Sequence, residues 1–282
     1  MSKNEVAPVQ PARINVPGIV KVEDAELLKE LEGVAGAGLS DSIEDQGTPL
    51  LYIAQKGSPQ VDERDAKFIK DLKQGMAFNN LTGQMYDAEH VGLPFLPCFM
   101  RVTWDEWTPR NQGGGFHGSH PRNTDMAALK AVPFKRDEKS KARRDIYVLP
   151  DGHELKLTAK YYGVLPETWS PIVIPMASTS LGCSSRLQAM IKEQKLQVGN
   201  SIIVKPAYFT NFRLKTVYDT NDDGTWFRWE VAGIDGPNEN KELRNFCKAF
   251  ALACQNNEVK EAAPQPDSVP VGGAPNDDDI PV

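Results

Sequence analysis

The run FTNFRLKTVYDTNDDGTWFRWEV, Phe209–Val231, decides the fold, because it supports two opposite readings. Asp219, Asn221, Asp223, Gly224 and Glu230 match the marked positions of the twelve-residue EF-hand calcium loop. An EF-hand needs a helix on each side. Here the flanks, Phe209 to Tyr218 and Thr225 to Val231, are aromatic and β-branched and alternate as a strand does, while Gly233 and Pro237 would break an exiting helix. The stretch therefore reads as a β-hairpin joined at Asp219 to Gly224, with no calcium expected. Widened to Ile202–Ile234, it interleaves Phe209, Phe212, Tyr218, Trp226, Phe227 and Trp229 with Lys205, Arg213, Lys215 and Arg228. If one face packs on the core, the other presents rings for base stacking and cations for phosphates, the ingredients of sequence-tolerant single-strand binding. Core packing takes some of these rings. A one-residue register shift would exchange the two faces, so which rings face outward stays open.

Working outward, most other segments also read as strands. Pro49 to Ala54 has the apolar run of a buried strand, Gly75 to Tyr86 reads as a hairpin turning at Asn80 to Gly83, and Val91 to Trp107 is a long strand. Pro94 and Pro97 place part of that long strand at an edge or a bend. Asp145 to Tyr162 reads as a hairpin with Pro150-Asp151-Gly152 at its turn, and Pro171 to Ala177 as another apolar strand. Helical spacing is visible in Val22 to Leu31, in Leu187, Met190 and Ile191, and in Leu243, Phe246, Cys247, Phe250, Ala251 and Cys254. Short helices are also expected over Asp62 to Leu72 and Thr124 to Ala131. The sum is an α+β chain with an antiparallel, barrel-like core and a few packed helices. Its organisation is a flexible acidic arm over 1–48, a folded body over 49–254 and a solvated tail over 255–282.

A second cation-rich region precedes the hairpin. From Arg101 to Arg144 there are ten basic residues against five acidic ones. Within it, Trp104 and Trp107 lead into Thr108 to Arg122, a glycine-rich stretch expected to be a long mobile loop carrying Arg110, His117, His120 and Arg122. Its glycines are not a phosphate loop, since no Gly-Lys-Ser or Gly-Lys-Thr follows. His117 and His120 are two metal-capable residues without a third ligand nearby, so no metal or other cofactor is expected. The four cysteines, Cys98, Cys183, Cys247 and Cys254, lack metal-type spacing and read as buried thiols. No nucleophile, base and orienting group form a catalytic motif, so the chain is not expected to be an enzyme. The most apolar run, Val91 to Met100, is too short to span a membrane, and Met1-Ser2-Lys3-Asn4-Glu5 does not open a signal peptide. A cytoplasmic protein is expected, in host cytoplasm if phage-encoded.

Charge is partitioned along the chain. The overall net charge is -6, yet residues 1–48 and 255–282 carry -5 each, which leaves the body at +4. A basic body between acidic ends suits a protein whose own tail competes with a polyanion. The tail holds five prolines from Pro264 onward and ends in Asp277-Asp278-Asp279-Ile280-Pro281-Val282.

That tip resembles the C-terminus of bacterial single-stranded-DNA-binding proteins, where an acidic run precedes Ile-Pro-Phe and recruits replication and repair partners. Val282 stands where that family has phenylalanine, which reduces the contact area offered to a partner pocket. The arrangement also resembles phage-encoded proteins of the same type, with Arg110 and Gly113-Gly114-Gly115 following the tryptophans of a basic body. The resemblance implies an OB-fold with insertions and a non-specific single-stranded-DNA-binding protein of phage replication, recombination or repair. It also implies docking of polymerase, helicase, primase or nuclease on Asp277, Asp278, Asp279, Ile280, Pro281 and Val282. The residues expected to face DNA are Trp104, Trp107, Arg110, Arg122, Phe209, Phe212, Arg213, Lys215, Trp226, Arg228 and Trp229. Homo-oligomerisation is left open. The alternative is a virion-associated or protein-interaction protein without a nucleic-acid groove.

Overall fold

The structure is a computed structural model that describes residues 47–109, 112–135, 143–221 and 224–264. The predicted helix over Val22 to Leu31 lies outside these residues. The centre of the described chain is β4, Leu93–Trp107, a fifteen-residue strand that no single neighbour covers along its length. Its first residues pair with β12 (Thr210–Asn221) through Phe212↔Phe95, Arg213↔Pro94 and Leu214↔Leu93. From Leu96 to Trp107 it pairs with β8 (Glu154–Leu165), and from Thr103 to Trp107 also with β5 (Phe116–Pro121). The eight-stranded antiparallel sheet runs β13 (Gly224–Pro237), β12, β4, β8, β7 (Ile146–Val148), β6 (Val132–Pro133), with β5 on β4 and β9 (Ser170–Ala177) on β8. Because β4 changes partners along its length, the sheet curls into a half-barrel. The register shifts between Pro97 and Phe99, so the bend expected from the prolines falls there, within a central strand.

A small sheet of β1 (Leu51–Ile53), β2 (Ala77–Asn79) and β3 (Met85–Tyr86) packs beside it. A separate hairpin, β10 (Lys195–Val198) with β11 (Ser201–Val204), leaves Val198, Ile202, Ile203 and Val204 exposed. Ile202 thus belongs to its own hairpin rather than to the aromatic one.

Close approach at one glycine holds β4 against β8. A Cβ on Gly163 would sit 2.3 Å from the Phe95 ring and 2.5 Å from the Leu96 carbonyl oxygen, so only glycine lets the ring lie on the strand. Phe95, Phe212, Leu214, Trp229 and Val231 are buried together in the main core. Helix α1, Leu181–Glu193, turns Cys183 and Leu187 into that core, and Tyr161 donates its hydroxyl to the Ser184 carbonyl at 2.9 Å. Helix α2, Lys241–Gln255, starts at Asn240, whose side chain accepts from the backbone N–H groups of Glu242 and Leu243, both at 3.0 Å. Its Leu243 and Cys247 pack on Leu96 and Val164, as the apolar stripe predicts. Packing continues past the expected start of the tail: Ala262 donates to Thr48 at 2.9 Å and is itself buried.

Three sequence expectations are corrected. Asp62 to Leu72 is a series of turns, because Asp62 and Asp65 accept from the backbone N–H groups of Arg64 and Lys67, two residues on, in competition with helix bonds. Thr124 to Ala131 likewise forms only turns, with Asp125 accepting from Ala127 and Lys130 at positive φ. The expected mobile loop contains β5, which is paired residue by residue with β4 after a turn through Gly113 to Gly115, all at positive φ.

Gly163→Ala should lower the unfolding free energy by about 1–3 kcal/mol through overpacking against Phe95. Gly182, which has open space around its Cβ direction, provides the control substitution to alanine and should cost nothing. Urea midpoints report both, and an unchanged midpoint for Gly163→Ala would contradict the packing described.

Candidate nucleic-acid interface

Register settles which rings of the aromatic hairpin face outward. Leu214↔Val231, Thr216↔Trp229 and Tyr218↔Phe227 share the side that the core covers as far as Trp229 and leaves at Tyr218, which is 58% exposed, so Lys215↔Glu230, Val217↔Arg228 and Asp219↔Trp226 share the other. Arg213, Lys215, Trp226 and Arg228, four of the residues predicted from sequence, therefore lie on one face with Val217 between them. Arg213 donates from Nε to Asp235 Oδ1 at 2.8 Å and from Nη1 to the Val91 carbonyl at 2.9 Å. The hydrogen bond to Asp235 pushes the Arg213 pKa above its ordinary value. Arg228 donates to Asp219 Oδ2 at 2.7 Å, and Glu230 takes Arg186 at 3.4 Å. Lys215 has no ion-pair partner among the described residues. Trp226 is half-buried with its indole N–H covered, so the exposure left to it is not of that polar group.

β13 ends the sheet, and the Gln55 side chain occupies part of its open edge. Its amide donates to the Phe227 carbonyl at 2.7 Å and accepts from the Phe227 N–H at 2.8 Å. This replaces one missing strand partner and stiffens the hairpin beside Trp226. The Asp219 to Glu230 stretch is thus flanked by strands, and its two described carboxylates are held by arginines.

Four of the predicted stacking rings are corrected, because they are interior. Phe212 and Trp229 are core residues. Trp104 and Trp107 are buried on opposite faces of β4: Tyr147 packs edge-on against Trp104 at 5.3 Å, and Phe116 covers Trp107 at 5.0 Å. Arg122 is exposed and sits 5.3 Å over the Trp104 ring, at the far end of β4 from the hairpin. Roughly 30 Å of strand separates the two ends at about 3.3 Å per residue. Phe209 lies in a short turn before β12, half-buried beneath the Arg244 guanidinium at 5.4 Å. Arg110 and Asp277 to Val282 lie outside the described residues.

Two polar clusters that the sequence did not suggest flank neighbouring residues of β4. On one side Lys160, its side chain 2% exposed, reaches Asp105 Oδ1 at 3.1 Å, Glu261 Oε2 at 2.8 Å and Ser119 Oγ at 3.0 Å. Asp105 also accepts from Thr103 and Ser119, and Glu261 accepts from the Tyr162 hydroxyl. Burial and the neighbouring Glu261 carboxylate push the Tyr162 pKa well up. On the other side, Glu106 accepts from His120 Nε2 at 2.7 Å and His153 Nδ1 at 2.8 Å. Burial alone would raise the Glu106 pKa, but the two imidazoles outweigh it and hold the carboxyl below its ordinary value. His117 stacks on His153 with centroids 4.1 Å apart, and its Nε2 lies 2.6 Å from Thr108 Oγ1. These partners come from separate strands and turns, so pairing of β5 with β4 was the missing step.

Lys160→Met would leave Asp105 and Glu261 buried without their cation, and should destabilise the protein by about 3–5 kcal/mol. Chemical denaturation measures this. A loss below about 1 kcal/mol, the scale of an exposed pair, would mean the cluster is solvated.

Residues 23–260 match the family described as Pam3 phage gp34-like protein. No curated protein and no solved structure matches the chain. No helix among the described residues is long and apolar enough to cross a membrane.

Proposed function

The chain belongs to the Pam3 phage gp34-like protein family, and on that premise we propose that it binds single-stranded DNA without sequence specificity, in phage replication, recombination or repair. One observation carries the reading: Trp226 and Val217 lie among Arg213, Lys215 and Arg228 on a hairpin face that the core does not use. Stacking of a base on an aromatic ring contributes ~1–3 kcal/mol and tolerates every base, while the cations track the phosphates. The Arg228 pair with Asp219 is partly exposed, and such pairs contribute modestly, so a phosphate replaces the carboxylate at small cost. The curled antiparallel sheet supports an OB-like platform beneath this face.

The acidic tail completes the proposal. Its charge of -5, tethered to a body of +4, competes weakly with DNA, and Asp277 to Val282 docks replication proteins. The role is binding rather than catalysis. A second reading, a protein-docking component without a nucleic-acid groove, is favoured by the exposed apolar residues of the β10–β11 hairpin.

Fluorescence titration with oligothymidylate separates the two readings. Trp104, Trp107 and Trp229 are buried, whereas Trp169 and Trp226 are half-buried, so quenching should vanish in Trp226→Phe and persist in Trp169→Phe. Lys215→Ala should flatten the slope of log affinity against log salt by about 0.7, the contribution of one phosphate contact on a single strand. No binding at low salt would replace the strand-binding reading with the protein-docking one, and equal affinity for duplex would replace it with a duplex-binding role.

A further inference from the structure

Three of the chain's four histidines gather around one carboxylate. Glu106 comes from β4, His117 and His120 from β5, and His153 with Asp151 from the turn between β7 and β8. The donor atoms of Glu106, Asp151 and His153 all lie within 4.8 Å of one another. His120 Nε2 lies outside that group and holds the other oxygen of Glu106, Oε2, at 2.7 Å. We infer that Glu106, His153 and Asp151 form a binding site for a divalent first-row transition metal of the zinc class, which pins β4 to the β7–β8 turn.

The donor chemistry and spacing both fit. One imidazole and two carboxylates, with solvent in the fourth position, suit zinc and its neighbours, whereas calcium and magnesium prefer oxygen donors throughout. Around a tetrahedral ion with bonds of about 2.0–2.1 Å, adjacent donors stand about 3.4 Å apart. The pairs here stand at 2.8 Å for His153 with Glu106 and 3.6 Å for His153 with Asp151. An ion enters by opening the shorter gap by less than an ångström, on the order of one rotamer adjustment. The stack of His117 on His153, itself held through Thr108, fixes the ring plane as an outer partner does in metal sites. Asp151 is the most exposed of the ligands, with 60% of its side chain accessible, and gives the ion its entry side.

Cobalt titration of the full-length, untagged chain after chelator treatment tests this. Cobalt should bind at one ion per chain with the visible bands of a four-coordinate nitrogen and oxygen site, and zinc should displace it and raise the melting temperature. Asp151→Asn, a change on an exposed turn, should weaken zinc binding by at least about tenfold, the scale of losing a supporting group at such a site, without changing the metal-free melting temperature. His90→Ala, which removes an imidazole bonded to Asp87, should leave affinity unchanged. Absence of binding at micromolar cobalt would overturn the inference. So would a sulfur-to-cobalt charge-transfer band, which would place the ion on the cysteines, or an Asp151→Asn variant with unaltered affinity.

Discussion

The contact between the Phe95 ring and the bare Cα of Gly163 sets where everything else in the described chain sits. It brings β4 and β8 together without a side chain between them, and Phe95 also faces Phe212 across the first pairs of β12. The β12–β13 hairpin joins the sheet by only three residue pairs to β4, so most of its length is free to stand beyond the neighbouring strand. A hairpin anchored at one end by two buried rings can expose one face while the other completes the core. That division places Trp226 and Lys215 outward and Trp229 and Phe212 inward.

The opposite end of β4 is organised by charge rather than by rings. Adjacent residues Asp105 and Glu106 point to opposite faces, as strand alternation requires, and each gathers its own cluster. Asp105 meets Lys160, which also draws in Glu261 from beyond α2 and so closes the chain on itself through the Thr48 bridge. Glu106 meets the histidines of the turns. With β5 and β8 paired to both edges of β4 here, this end is the stiffer one. Cations near it, Arg122 among them, are engaged with protein groups, whereas Lys215 on the hairpin has no such ion pair among the described residues.

Much of the architecture was legible because local patterns agreed. Alternation around Asp219 to Gly224 outweighed a full match to a calcium loop, and the structure has strands on both sides. The α2 stripe and the Pro150-Asp151-Gly152 turn were equally visible. What failed depended on contacts between distant segments. Trp104 and Trp107 sit three apart on one strand and read as a surface pair, yet Tyr147 and Phe116 cover both faces. His117 and His120 read as loop residues because nothing local announces His153 as their neighbour. Asp62 and Asp65 misled in another way: their side chains offered the backbone bonds that ended the expected helix.

Hydrogen exchange of the full chain with and without an oligothymidylate tests most directly the claim that the outward hairpin face takes the strand. The account predicts slowed exchange confined to peptides spanning Arg213 to Arg228, with Arg101 to Arg122 unaffected. Slowed exchange centred on Arg101 to Arg122, with the hairpin unchanged, would contradict it.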